Sequence, residues 1–179
     1  MTIPIYTPPL AEYEEWGQRF VAGQFNVSDQ AYVIVFHEIQ NEQEMRAKGY
    51  DIELPNFQFP ASGMVEVMFD AVSDLTGEDF GGFNHVEPAQ AASPVTLLKV
   101  ISIIEHHYNI RAPGGYLFYA ATTAQDLNRK TDLTTVYDIM LGLIPARNGK
   151  PSKIAGMIPE EWRVINGLSR GGRGYAIIC

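Results

Sequence analysis

The spacing of apolar residues changes along this chain, and each change predicts a different element. In residues 10–20, apolar side chains recur every third or fourth position, which predicts an amphipathic helix with acidic residues in its first turn. The β-branched and aromatic run at 31–37 predicts a buried strand. A short polar helix is predicted at 41–48, where Gly49 ends it.

Strict alternation predicts the next strand, at residues 64–72. Valine and phenylalanine lie on one side of it and Glu66 and Asp70 on the other, so the pattern predicts one buried face and one solvated face. Residues 50–63 show no sustained period and predict a loop. A long glycine-containing loop is predicted at 75–92, and loops of this length are often functional.

Two strong helices are predicted in the second half of the chain. Ser93 and Pro94 begin the first, which has a clear apolar stripe. A strand is predicted at 116–121. Thr131 caps the second helix, whose apolar residues follow helical spacing until Pro145 ends it.

The C-terminal region is predicted to alternate between turns and short elements. Residues 146–153 form a basic turn, a short helix begins at Pro159 and includes Trp162, and residues 175–179 form the last strand. Because both strong helices join consecutive strands, we expect crossover connections and some parallel pairing.

The predicted fold class is α+β or α/β, with a single mixed sheet flanked by helices in the order α-β-(α)-β-α-β-α-(α)-β. The length of 179 residues fits one domain, which we expect to span the whole chain with an extended proline-rich arm at 1–9.

Composition narrows the class of protein. A hydrophobic content of 46% with 19% charged residues is typical of a globular protein and excludes a disordered one. No apolar run reaches the roughly 18 residues of a membrane helix. The first ten residues lack a secretory pattern, and the single cysteine, Cys179, fits a reducing compartment, so we expect a cytoplasmic protein.

Charge is divided between the two halves of the sequence. The first 92 residues have a net charge of −12, whereas the remaining 87 have +4. Acidity argues against nucleic-acid binding, which depends on neutralising phosphates. An electrostatic field that differs between two parts of a protein directs charged partners to one of them. The acidic half of the sequence therefore favours a docking surface for a basic protein, and a surface that is only solvated is the alternative. The candidate binding residues are Glu12, Glu14, Glu15, Glu78, Asp79, Arg129, Lys130 and Arg147.

Candidate catalytic residues are few. His85 lies in the long loop near Glu78 and could transfer protons there, although a solvated loop histidine is the alternative. Adjacent His106 and His107 project about 100° apart on a helix and lack the i, i+4 spacing of a zinc pair, so no metal is predicted. No phosphate-binding motif is complete, so no cofactor is predicted.

Residues 65–140 resemble a group of uncharacterised bacteriophage proteins. The resemblance implies a phage or mobile-element origin, and with it the cytoplasm of a bacterial host, but no chemistry. It depends on VEVMF at 65–69, LTG at 75–77, VISII at 100–104, YLFYAAT at 116–122, Arg129 and VYDIM at 136–140.

The strand–loop–helix–strand–helix order, with Tyr137 on the last helix, is also similar to GNAT-type acetyltransferases. Those enzymes carry a Q/R-x-x-G-x-G/A loop that binds the pyrophosphate of acetyl-CoA. The corresponding segment here, residues 73–93, has TGEDFGGFN instead. The resemblance implies a GNAT-like shell, with Tyr137 in the position of the family's helix tyrosine.

Three hypotheses follow. The first is a non-enzymatic phage or mobile-element accessory protein whose acidic half binds a host or defence protein. The second is a GNAT-like transferase or other small enzyme, with His85, Glu78 or Tyr137 as acid–base groups. The third is a structural protein that assembles with copies of itself through opposite charges. The absence of a complete catalytic motif favours the first.

Overall fold

Seven strands form one mixed sheet in the part of the chain that the structure describes. This computed structural model describes residues 8–71, 94–120, 133–168 and 172–179. The strands are β1 (Ala11–Glu15), β2 (Gln18–Val27), β3 (Gln30–Ile39), β4 (Met64–Ala71), β5 (Gly115–Tyr119), β6 (Arg163–Leu168) and β7 (Gly174–Ile178). The helices are α1 (Glu42–Ala47), α2 (Pro94–Arg111) and α3 (Leu133–Met140), with a 3₁₀ turn at Ala155–Met157.

The sheet order is β1-β2-β3-β4-β5-β7-β6. Strands β1 to β4 form an antiparallel meander. Strands β4 and β5 are parallel, and β7 lies between β5 and β6, antiparallel to both. The predicted single mixed sheet with flanking helices is therefore confirmed, as an α+β fold.

The helix predicted at residues 10–20 is wrong, because this segment forms the β1–β2 hairpin. Its two-residue turn is Trp16-Gly17, with φ values of 56° and 74° that suit a tight hairpin. Tyr13 pairs with Phe20 across the hairpin, and their rings stack at 5.1 Å. Two of the apolar residues that resemble a helical stripe in the sequence, Tyr13 and Phe20, therefore contact each other across two strands.

Helices α2 and α3 cover one face of the sheet, here called the helix face. Alternate residues of the strands point into this core, because side chains change sides at each position of a strand. Its buried members include Phe25, Ile34, Phe36, Val65, Val67, Tyr116, Tyr175 and Ile177 from the strands, Val100, Ile103 and Ile104 from α2, and Tyr137 from α3. Among the described helices, none is long and apolar enough to cross a membrane.

Residues 40–63 cover the opposite face, here called the loop face. The short helix predicted at 41–48 is confirmed as α1, and Asn41 caps it, its side chain accepting a hydrogen bond from the backbone of Glu44 at 2.9 Å. The following segment is irregular, as predicted, yet it buries Tyr50 and Ile52 against the sheet. The solvated face predicted for β4 is therefore wrong, since Glu66 and Asp70 are buried. The alternation of apolar and polar residues within one strand carries no information about a segment that covers its polar side.

The remaining predictions have mixed outcomes. The strands predicted at 31–37, 64–72, 116–121 and 175–179 are confirmed as β3, β4, β5 and β7. The helix predicted at Pro159 is wrong: Trp162 packs on Tyr108 of α2 at 4.7 Å and leads into β6. The long loop predicted at 75–92 lies outside the described residues.

Gly115 provides a test of the packing between β5 and its neighbours. A Cβ atom there would lie 2.7 Å from the carbonyl oxygen of Ile177 and 2.7 Å from Cε of Met64. Because the backbone of Ile177, which is paired in the sheet, cannot move away from an added methyl group, we expect Gly115→Ala to lower the free energy of unfolding by about 1–3 kcal/mol. Gly156→Ala is the control, since no atom lies within 4 Å of its added Cβ. Urea denaturation measures both, and equal stability of the two variants would contradict this packing.

Candidate functional site

The parallel ladder between β4 and β5 is short. Within the described residues it contains two pairs, Val65 opposite Tyr116 and Glu66 opposite Leu117. Strand β4 continues to Ala71, and beyond Glu66 its ladder partner is β3 alone. Among the described strands, β4 beyond Glu66 therefore has a ladder on its β3 edge only.

A cavity of about 210 Å³ lies where this ladder ends, bounded by β4, β5, α2 and α3. Apart from Glu66, Tyr119 and Tyr137, its lining consists of aliphatic residues, phenylalanine and methionine. The carboxyl ends of parallel strands that lead into helices are the usual ligand-binding position in sheets of this kind. An apolar cavity with a few convergent polar groups is also the usual composition of a small-molecule site.

The cavity lining includes residues of both faces of the sheet. Val67 and Phe69 belong to the helix face, whereas Glu66 and Met68 alternate with them along β4, and all four line the cavity. The lining therefore combines apolar residues of the helix face with Glu66 and Tyr119, which lie at the ends of the β4–β5 ladder.

A charged cluster, here called the Glu66 cluster, lies on the loop face, where Glu66 lines the cavity. Glu66 is 6% exposed and accepts hydrogen bonds from Lys48 Nζ at 2.6 Å and from Tyr50 Oη at 3.0 Å. Tyr119 packs on Tyr50 at 4.5 Å and donates a hydrogen bond to the carbonyl oxygen of Lys48. Residues 40–63 thus bring a cation and a phenol to a carboxylate that β4 places at the cavity.

The cluster keeps Glu66 ionised. Burial alone would raise the pKa of Glu66, but the nearby His37 together with the hydrogen bonds from Lys48 and Tyr50 lower it below its ordinary value. Burial, and then the charge of Glu66, raise the pKa of Tyr50, so this phenol remains a hydrogen-bond donor. The cavity therefore has a negative group at its loop-face end.

His37 connects this cluster to the surface. Its ring is 3% exposed and stacks on Phe20 at 4.6 Å. Nδ1 lies 3.7 Å from Oε2 of Glu66, and Nε2 lies 4.0 Å from Oε1 of Glu44, a more exposed carboxylate of α1. Nε2 has no hydrogen-bond partner among the described residues. The imidazole therefore lies between two carboxylates, one at the cavity and one near solvent.

Tyr137 provides a polar group on the helix-face side of the cavity. Its ring meets Phe118 and Tyr175 edge-on, at 6.0 and 5.6 Å. Burial raises the pKa of Tyr137 to about 12, against the opposing charge of Arg173. The side chain is therefore a neutral phenol at physiological pH, and it can donate a hydrogen bond or a proton into an apolar space.

His107 is buried away from the cavity lining. Its ring stacks on Phe36 at 4.2 Å, and Nδ1 lies 2.9 Å from Tyr116 Oη. Burial, with a contribution from His106, lowers the pKa of His107 to about 4, so it packs as a neutral side chain. The described residues include no group of three His, Cys, Asp or Glu residues that could hold a metal ion.

Those sequence-predicted binding residues that the structure describes lie outside the cavity lining. Glu12 forms an ion pair with Arg111 at the end of α2, and Glu14 and Glu15 are exposed on β1. Arg147 is exposed in the turn after α3. Tyr137 alone of the described candidates lines the cavity. The candidates Glu78, Asp79, His85, Arg129 and Lys130 lie outside the described residues.

Sequence reasoning missed the Glu66 cluster. The alternation in β4 treats Glu66 as solvated, since nothing in the strand itself shows what covers it. The available signal was the aromatic content of the supposed loop, where Tyr50, Phe57 and Phe59 need burial somewhere.

Comparisons of the chain with protein-family models, with curated proteins and with solved structures found no match. The site is therefore interpreted from its own geometry.

Glu66→Gln tests the charge of the cluster. We expect the variant to be less stable than the wild type by about 1–3 kcal/mol at pH 7, because Lys48 and Tyr50 lose a charged acceptor. The folded-state pKa of Glu66 is lowered, so this stabilisation is present above the unfolded value of about 4.3 and is lost as pH falls through the folded value.

Urea denaturation between pH 7 and pH 3 measures this difference. The gap between the wild type and Glu66→Gln should narrow below about pH 4. Glu53→Gln is the matched control, since Glu53 is exposed on the same covering segment and its loss should change stability by less than about 0.5 kcal/mol. A gap that stays constant over this pH range would contradict an ionised Glu66.

Proposed function

We propose that the cavity binds the acyl-bearing arm of an acyl-CoA thioester and that the protein is a GNAT-like acyltransferase. The observation that carries the proposal is the early end of the β4–β5 ladder, with a largely apolar cavity beside it that is lined by β4, β5, α2 and α3. The order of β4, α2, β5 and α3 is the one on which the similarity to GNAT-type acetyltransferases rests.

The chemistry of the cavity suits an extended ligand with amide groups. Beyond Glu66, the β5-facing edge of β4 is outside any ladder of the described strands. Buried peptide groups require hydrogen-bond partners, and a ligand lying along a strand edge can supply them. The pantetheine arm of coenzyme A is an extended chain with two amides, and its apolar segments match the lining of the cavity.

The two ends of the cavity suit the two partners of an acyl transfer. The acceptor would approach from the loop face, where ionised Glu66 favours a cationic or hydrogen-bond-donating group. Because its pKa is lowered, Glu66 is a poor base. Its role would be to bind the acceptor, whose proton would pass to water. Once water has taken a proton from the acceptor, its lone pair attacks the thioester carbonyl, the bond between the acceptor and the acyl carbon forms, the C–S bond breaks, and Tyr137 donates its proton to the departing sulfur and regains one from water.

Acyl-CoA would be a substrate in this scheme. Its phosphates would lie towards residues 73–93, which are outside the described residues and carry Glu78 and Asp79 in place of the family's phosphate loop. The proposal therefore depends on the arm and the thioester, which the described cavity would hold.

Filling the cavity tests ligand binding. We expect acetyl-CoA to raise the melting temperature of the wild type, because a ligand that binds the native state alone stabilises it by about 2.7 kcal/mol at 100 times its Kd. Ile101→Trp should abolish this shift, since Ile101 lines the cavity. Val95→Trp, an exposed position of the same helix, should retain it. An absent shift in the wild type would remove the proposal.

Tyr137→Phe tests the proton donor. We expect acetyl-CoA to bind as in the wild type and turnover to fall by about 10²- to 10⁴-fold, because the leaving thiolate loses its acid. Release of free thiol from acetyl-CoA, in the presence of a panel of primary amines, measures turnover. Tyr108→Phe is the control, since Tyr108 packs on Trp162 outside the cavity lining. Equal losses in both variants would contradict a role for the Tyr137 hydroxyl.

We propose a second role from the distribution of charge. The strand order keeps β1 to β4 on one side of the sheet and β5, β7 and β6 on the other, so the strands of the acidic half lie together, whereas α2 carries Lys99 and Arg111 back to β2 and β1. Among the described residues, 8–71 carry 11 acidic and 3 basic side chains, and the rest carry 4 acidic and 7 basic. The acidic side would dock on a basic host or defence protein, as expected of a phage accessory protein; assembly of copies through their opposite sides is the alternative.

A further inference from the structure

The tip of the β1–β2 hairpin exposes a tryptophan in a conformation that tryptophan disfavours. Trp16 is 93% exposed, more than any other large apolar residue described. Its φ of 56° lies in the left-handed region, where asparagine and glycine are favoured at this position of a hairpin turn. Exposure and strain both act against stability, so packing within the protein does not explain this residue.

Two carboxylates lie beside this tryptophan. Glu14 and Glu15 precede it on β1, and both are exposed, with one cation, Arg19, paired opposite Glu14 on β2. The indole Nε1 donates a hydrogen bond to Oε1 of Glu15 at 3.2 Å, which orients the ring beside the acidic strand. Tyr13, 42% exposed, extends the apolar surface behind the tip through its stack on Phe20. The hairpin thus presents an aromatic projection whose β1 side carries two carboxylates.

We infer that Trp16 is the anchor through which the acidic side binds a protein partner, in an apolar pocket rimmed by lysine or arginine. The inference rests on the proposed docking role and names its central contact. Tryptophan is the residue type most enriched at the energetic centre of interfaces, and rim charges govern approach and specificity. The same carboxylates disfavour anionic lipid and nucleic acid, which leaves a basic protein as the matching occupant.

A peptide array with fluorescence detection tests the anchor. The probes are twelve-residue peptides rich in lysine and arginine, in matched sets with and without one leucine or phenylalanine, bound to the full chain carrying Trp162→Phe. Trp16 is then the sole source of tryptophan fluorescence. We expect the basic peptides that contain a leucine or phenylalanine to bind and to shift the fluorescence emission of Trp16 to shorter wavelengths.

Variants of the tip separate the anchor from the charge. Trp16→Ala should weaken binding of the combined peptides at least tenfold and leave the purely basic peptides unchanged, since these contact the carboxylates alone. Trp16→Asn should lose binding equally while raising the melting temperature, because asparagine suits the positive φ. Met157→Ala, an exposed apolar residue on the basic side, is the control and should bind as the parent does.

Three results would overturn the inference. If Trp16→Ala binds the combined peptides as tightly as the parent, while the double variant Glu14→Lys, Glu15→Lys binds them more weakly, Trp16 is not the anchor although the acidic side still docks a basic protein. If no peptide binds, or binding is equal at 50 and 500 mM salt, the docking role itself fails together with the anchor. If light scattering shows oligomers that Trp16→Ala dissolves, the pocket belongs to a second copy of this chain.

Discussion

The constraint on which this structure depends is the pairing of β4 with β5 inside the sheet. This parallel ladder joins the antiparallel meander β1–β4 to the three strands of the second half, and it contains two residue pairs in the described chain. Backbone groups beyond it face an apolar cavity, where peptide groups need partners. The same interruption that weakens the sheet therefore creates an opening with both apolar and polar character.

Each layer of the fold contributes a different property to that opening. Helices α2 and α3 supply the apolar walls, and α3 brings Tyr137 to them. Residues 40–63 close the loop face and bury Glu66 with Lys48, so that an ionised carboxylate is stable inside the protein. Removing either partner of such a pair is costly, since the remaining charge stays buried. The cluster is thus both a structural contact between α1 and the sheet and the negative end of the cavity.

The charge division is related to the same topology. Because the two halves of the chain form adjacent halves of one sheet, the strands of the acidic half lie side by side. Contacts such as that of Arg111 with Glu12 cross this division, where α2 reaches β1 over the helix face. The exposed hairpin tip lies at the far acidic edge, away from the cavity, so the two proposed roles use separate parts of the surface.

Local signals in the sequence were enough to predict the strands β3, β4, β5 and β7, the short helix α1, and the apolar stripes of α2 and α3. Tyr137 became a candidate through the similarity to GNAT-type acetyltransferases. The other features depend on contacts between distant segments. The helical spacing at 10–20 is misleading because this segment forms a hairpin, in which Tyr13 stacks on Phe20 and Phe20 stacks on His37 of β3. The burial of Glu66 and the cavity beside it depend on residues 40–63 and on strands distant in the chain, and a periodicity of two to four residues carries no information about contacts at that separation.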